Sequence, residues 1–277
     1  MNETCFLAPV HSKGFKYGID YVKSYNKFYN DDHLYLVFSN QDEMNDFRYL
    51  VGSEARYRPI LCTEHLTYSK PISQKKLFGV NYVFQTTSFN QVAVTDVDCI
   101  FVKHVNYDQL MLDRAARSKF FTSSSNNTDV VNKVGRAAAK KFFTPLDVKK
   151  LETLTNGFTD YFWFNDIPVY SREYFKLFKQ YINYPSTIDK LEYTTFDFIL
   201  YAYYLLLKSY AVIEPITVNG NRPPIQDKGS FIESQRVFNP NYFKQAIEQF
   251  RPMWLIDLIE SDNQDVMIKL HVDRIKK

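Results

Sequence analysis

Cysteine is scarce in this chain: Cys5, Cys62 and Cys99 are the only three in 277 residues. An odd number, set in apolar surroundings without Cys-x-x-Cys spacing, excludes a disulfide framework and a cysteine zinc site and leaves reduced core thiols. Long hydrophobic runs are missing too. The longest near the start, Cys5-Phe6-Leu7-Ala8-Pro9-Val10, is far shorter than the roughly twenty apolar residues a membrane span requires. The expectation is a soluble, cytoplasmic chain without a membrane span. Charge of one sign is also lacking, since 34 basic residues stand against 31 acidic ones. So balanced a surface does not provide the basic face that nucleic acid requires, and nucleic acid is not expected as a partner. Glycine is sparse as well, and no Gly-x-Gly-x-x-Gly turn stands at the first strand–helix junction, which reads Ala8-Pro9-Val10-His11-Ser12-Lys13-Gly14. That excludes the phosphate turn of dinucleotide enzymes. Asn2-Glu3-Thr4 and Asn126-Asn127-Thr128 match the glycosylation sequon, which has meaning only in a secreted chain.

Aromatic residues are abundant, with 21 Tyr and 24 Phe. Such rings can form carbohydrate-stacking platforms, but each buries a large apolar area, so their first use is the core. Hydrophobic content of 45% with 23% charged residues is ordinary for a globular protein, and the length suits one large α/β domain. The first hundred residues alternate in pattern. Strands are expected over 4–9, 34–38, 57–61 and 91–95, with helices over 18–29, 41–50 and 73–82, the last capped by Ser73 after Pro71. Such alternation implies parallel βαβ units and a Rossmann-like, mostly parallel central sheet flanked by helices. Beyond residue 100 the pattern changes to helices interrupted by short strands. Arg136–Lys141 reads as a basic, small-residue helix segment, Ser171 as the N-cap of a helix running to Tyr181, and 194–210 as the longest apolar helix, leading to a strand near Val212.

The densest chemical signal is Val94-Thr95-Asp96-Val97-Asp98-Cys99-Ile100, an apolar strand that runs into Asp-x-Asp. If the strand continued to Asp98, its alternation would place both carboxylates on one side. Two carboxylates suit a hard cation such as Mg²⁺ or Mn²⁺, whose remaining positions are filled by phosphate oxygens and water. In open α/β sheets ligands sit beyond the carboxyl ends of the strands, so this strand end is a candidate phosphate dock.

With these elements in this order, the chain resembles a nucleotide-sugar glycosyltransferase of the GT-A fold. The strongest likeness is the strand and Asp-x-Asp turn over 90–102. Weaker ones are Ser73-Gln74-Lys75-Lys76-Leu77 on the preceding helix, Phe164-Asn165-Asp166-Ile167-Pro168, and Thr195-Phe196-Asp197-Phe198-Ile199-Leu200. In size and composition the chain is also similar to glycosyltransferases encoded by large algal viruses. The resemblance implies a single GT-A type domain over 1–277, with a nucleotide-binding half over about 1–102 and a mixed acceptor half with a closing tail over about 103–277. It implies transfer from a UDP-sugar, UDP-glucose first, to a glycan or glycoprotein acceptor, with Mn²⁺ or Mg²⁺ as cofactor. Asp98 would hold the cation, with Asp96 assisting or binding the ribose, and His271 is the candidate third ligand. Lys75 or Lys76 would reach the diphosphate, and Ala8, Pro9 and Val10 with His11 would hold uracil and ribose through backbone groups. Asp166 and Asp197, ahead of Glu192, are the carboxylates for activating the acceptor hydroxyl.

The departures matter. Retaining galactosyltransferase-like families close on His-x-x-Gly-x-x-Lys-Pro-Trp, of which only Lys269-Leu270-His271 is comparable here. The stereochemical outcome therefore stays open. The competing readings are a sugar-nucleotide nucleotidyltransferase, which would bring a glycine-rich phosphate loop, and a catalytically silent glycan-binding or structural protein of the same fold. A haloacid-dehalogenase phosphatase also uses Asp-x-Asp, but on the first strand of its core.

Overall fold

The computed structural model describes residues 4–63, 71–101, 119–122, 128–159, 168–191, 195–215, 235–237 and 267–269. Within them the strands and helices alternate as β1 (Thr4–Pro9), α1 (Phe15–Phe28), β2 (Leu34–Phe38), α2 (Gln41–Val51), β3 (Arg58–Leu61), α3 (Pro71–Thr86) and β4 (Gln91–Val94). There follow β5 (Cys99–Phe101), β6 (Lys119–Thr122), α4 (Thr128–Phe142), α5 (Pro145–Leu154), β7 (Val169–Ser171), α6 (Arg172–Tyr181), α7 (Asp197–Leu207), β8 (Val212–Pro215), β9 (Gln235–Val237) and β10 (Met267–Lys269).

The central sheet has the order β3-β2-β1-β4-β7. Strands β1 to β4 are parallel, with Leu7 opposite both Tyr35 and Val94, and β7 closes the β4 edge antiparallel, with Val92 opposite Tyr170. The expected α/β class with a mostly parallel sheet flanked by helices is what forms. Chain order runs outward from β1 in both directions, so the topological switch point lies between β1 and β4. That crevice is where open α/β sheets bind ligands.

Strand alternation divides the core. Cys5, Leu7, Tyr35, Val37, Val92 and Val94 face α3, α6 and α7, while Phe6, Ala8, Leu34, Leu36, Phe38 and Ala93 face α1 and α2. β1, β2 and β4 are buried along their whole length, which is why they read as unbroken apolar runs rather than alternating ones. α3 lies close to the sheet because Gly79 has no side chain: a Cβ there would come within 2.6 Å of both Leu7 Cδ1 and Val37 Cγ2. Its far end is tied down by Arg172, whose guanidinium donates to the carbonyls of Phe84, Thr87 and Phe89.

Several boundaries depart from expectation for local reasons. α1 starts at Phe15, directly after a 3₁₀ turn over Ser12–Gly14, three residues before the expected start. α3 starts at Pro71, so Ser73 lies inside its first turn and does not cap it, and the helix runs on to Thr86. α5 is an unexpected helix. Its signal was local, with Thr144 as N-cap accepting from the Asp147 amide and Pro145 at the first turn, while its single fully buried apolar residue, Leu151, leaves almost no periodicity. Ser171 caps α6 as expected, accepting from the Tyr174 amide at 3.3 Å. No helix among the described residues is long and apolar enough to cross a membrane.

The close approach at Gly79 makes a direct prediction. Gly79→Ala should lower stability in urea unfolding by about 1–2 kcal/mol, because overpacking outweighs the gain of roughly 1 kcal/mol in helix propensity. An unchanged or higher midpoint would show that α3 does not press on the sheet at this point.

Candidate functional site

The site builds from the carboxyl ends of β1 and β4. β4 stops at Val94, and Thr95 leaves it with its amide bonded to Leu7 O at 2.8 Å. Val97 and Asp98 then form a turn into β5. The conditional expectation of one strand face for both carboxylates therefore does not apply, since the strand ends before either.

The two acids are drawn toward opposite layers. Asp96 Oδ1 is paired with Lys76 Nζ of α3 at 2.7 Å, the side chains being 30% and 12% exposed respectively. Asp98 is 8% exposed. It lies near α1, where burial first and the Asp98 carboxylate second raise the Tyr17 hydroxyl above its ordinary range. The turn between them is held by the Tyr21 hydroxyl against Thr95 Oγ1 at 2.6 Å and by Val97 packed over Gly14 and Gly18. On leaving the turn, β5 is fastened to α1. The Phe101 amide donates to Ser24 Oγ at 3.1 Å, and the Phe101 ring meets Phe6 and Tyr25 edge-on with centroids 5.2 Å apart.

Asp197 opens α7 and is almost fully buried. Its carboxylate accepts from the Tyr170 hydroxyl at 2.5 Å. Burial raises its pKa, and the Lys76 ammonium and the Tyr170 hydrogen bond oppose that shift only in part. Asp96 pushes in the same direction as burial, so Lys76 lies within electrostatic reach of both Asp96 and Asp197.

The turn after β1 is built without glycine. Glu43, in the first turn of α2, accepts from the Ser39 amide at 2.6 Å, the Ser12 amide at 3.0 Å and Lys75 Nζ at 3.1 Å. Lys75 also donates to Val10 O. Its side chain is 1% exposed, and burial lowers its pKa against the pull of Glu43. Burial alone would raise the Glu43 carboxyl, but the Ser39 amide and the Lys75 ammonium outweigh it and hold the group below its ordinary 4.5. Sequence reasoning missed Glu43. Its spacing from Asn40, which caps α2, resembles a capping box, but the carboxylate reaches Ser39 and two other segments instead.

The sequence-derived candidates thus fall into three groups. Asp96, Lys76 and Asp197 come together beyond β4, with Asp98 two residues on in the same turn and directed toward α1. Ala8, Pro9 and Val10 are buried at the end of β1, Val10 has its amide on Val37 O and its carbonyl on Lys75, and the accessible part of that turn is His11 to Lys13. Asp166, Glu192 and His271 lie outside the described residues. β10 itself pairs with β5 at the turn's exit, with Lys269 opposite Cys99.

Among the described residues no three His, Cys, Asp or Glu side chains gather into a metal cluster. The donors present are carboxylate oxygens on one turn, and these fit a hard cation that takes most of its ligands from phosphate and water. They do not fit a site closed by protein alone.

No protein-family model and no curated protein matches the chain. Solved structures do match. The chain is similar to the apo structure of WbbM, a bifunctional glycosyltransferase, with a TM-score of 0.51 at 10% sequence identity over 98% of its own length. It spans 46% of that chain, less than half of the larger protein. At this identity the likeness is one of fold: the α/β architecture with its mostly parallel sheet is shared with a glycosyltransferase structure.

Glu43 and Lys75 offer a test of how the site is held. Glu43→Ala strands a buried ammonium and two amides, and should cost about 3–5 kcal/mol in urea unfolding. Lys75→Met should cost less, because the carboxylate keeps both amide donors. As the folded Glu43 value lies below 4.5, its contribution is complete above that pH and is lost as pH falls through the folded value. A loss under 1 kcal/mol for Glu43→Ala would show that this pair does not hold the turn.

Proposed function

We propose that this protein is a metal-dependent glycosyltransferase that moves a sugar from a UDP-sugar, with UDP-glucose as the first candidate, to a glycan or glycoprotein acceptor. The observation that carries the reading is the acidic turn Asp96-Val97-Asp98 at the carboxyl end of β4, beside the β1–β4 switch point, in a fold shared with a glycosyltransferase structure. The donor class and the cation follow from the resemblance noted in the sequence.

In this reading the chain's own groups divide the work. Asp98 is the cation ligand and Asp96 assists it or holds the ribose hydroxyls, a division that suits their placement toward opposite layers. A bound Mn²⁺ or Mg²⁺ supplies Lewis-acid stabilisation of the charge that builds on the leaving diphosphate. The exposed turn from His11 to Lys13 lies at the neighbouring strand end, where base and ribose would rest. Of the two carboxylates read from the sequence for activating the acceptor hydroxyl, Asp197 is almost fully buried with its carboxylate on the Tyr170 hydroxyl and so is not placed to touch an acceptor, which leaves Asp166 as the candidate base.

The test is a thermal-shift panel of UDP-, GDP-, CMP- and ADP-sugars with and without Mn²⁺. A UDP-sugar at about a hundredfold over its dissociation constant should stabilise the protein by roughly 2.7 kcal/mol only when Mn²⁺ is present. Asp98→Asn should abolish that shift, read against the melting temperature of the unliganded variant itself. Absence of a metal-dependent shift with every nucleotide sugar would overturn the reading in favour of a silent binder.

A further inference from the structure

α5 turns two of its three leucines toward solvent. Its outward face is the row Leu146, Lys149, Lys150, Thr153 and Leu154, spaced i, i+3, i+4, i+7 and i+8 as one side of a helix requires. All five are exposed, Leu146 to 77% and Leu154 to 40%. The acids of the same helix lie off this row and are engaged elsewhere. Asp147 accepts from the Thr144 hydroxyl at 2.7 Å and from the Tyr181 hydroxyl, and Glu152 is paired with Arg136 at 2.7 Å. Further lysines border the row. Lys150 donates to Leu207 O at 2.9 Å at the end of α7, where Lys208 is exposed and lies over the Tyr181 ring. The last turn of α4, joined to α5 by Phe143 and Thr144, carries Lys140 and Lys141.

We propose that this face of α5 docks the protein on the surface of an anionic phospholipid bilayer, with the two leucines entering the headgroup boundary and the lysines meeting the phosphates. Charge complementarity names the partner. The row holds two ammonium groups and no carboxylate, and each lysine near an anionic leaflet adds attraction. Lys150 keeps donors for a phosphate, since one carbonyl engages only one of its N–H groups. The leucines separate a bilayer from a free polyanion, which would engage the lysines alone. α7 runs about 15 Å from Leu207, where Lys150 is bound, to Asp197 beside the acidic turn. The docking face and the candidate site therefore lie at opposite ends of α7, and docking leaves the crevice uncovered. The inference does not depend on the reading of that site.

The experiment is flotation of the full chain with lipid vesicles, phosphatidylcholine alone against an equal mixture with phosphatidylglycerol. Wild type should float with the mixture and not with phosphatidylcholine alone. Raising salt from about 0.1 M to about 1 M, which shortens the screening length from about 10 Å to about 3 Å, should release it. Leu146→Ser should weaken binding roughly tenfold and Lys149→Gln about fivefold. Both side chains are exposed, so the melting temperatures should hold. Tyr49→Ser removes an 88% exposed aromatic from α2, on the other face of the sheet, and should bind as wild type does. No flotation with phosphatidylglycerol, or equal flotation by wild type and a folded Leu146→Ser, overturns the proposal. Loss with Lys149→Gln but not with Leu146→Ser marks attraction to any polyanion and overturns it too. A wild-type dimer in sedimentation that Leu146→Ser dissociates, without flotation, overturns it in favour of an interface between copies of the chain.

Discussion

The buried pair of Glu43 and Lys75 is the constraint from which the rest of the candidate site follows. One carboxylate gathers the amides after β1 and β2 and the ammonium of α3, and that ammonium also takes the Val10 carbonyl. Two strand ends and two helices on opposite faces of the sheet are thereby fixed to one point. A buried ammonium is tolerated only when its hydrogen-bonding capacity is filled, and here Lys75 has both the half-buried Glu43 carboxylate and the Val10 carbonyl. The arrangement replaces the glycine-rich turn that other Rossmann-like sheets place after their first strand, and it leaves His11 to Lys13 as the accessible edge.

Adjacent lysines on α3 serve different ends because successive helix positions point about 100° apart. Lys75 turns under the β1 end and is consumed by structure, whereas Lys76 reaches the turn after β4. The same helix therefore connects the end of β1 to the acidic turn, and Gly79 lets it lie close enough to do so. Charge is arranged across the layers: Asp96 belongs with α3 and α7, Asp98 with α1. Two carboxylates one residue apart in sequence thus sit in different electrical surroundings.

Much of the architecture was legible before any coordinates. β1 and β2 fall on their expected residues, because strands buried on both faces read as continuous apolar runs bounded by polar turns. The Ser171 cap was legible from that one residue at the head of an amphipathic segment. Helix starts were less so, since Gly18 alone is fully buried in the first turn of α1, and α5 has a single fully buried residue with Leu146 left in solvent. Glu43 was not legible at all. Its three partners come from residues 12, 39 and 75, and no periodicity within α2 records them.

The sequence by itself determined the alternation of strand and helix, the mostly parallel sheet, and an acidic turn at the end of a buried strand. These depend on hydrophobic period and on residues within a few positions of one another, which short-range physics sets. Only the tertiary structure decided that β4 ends at Val94, that Lys76 meets Asp96 while Lys75 does not, that Asp197 hydrogen-bonds Tyr170, and that β10 runs beside β5. Each of those depends on which faces pack together. The partner of a buried charge is selected by that packing over tens of residues, and the local pattern around the charge carries no trace of it.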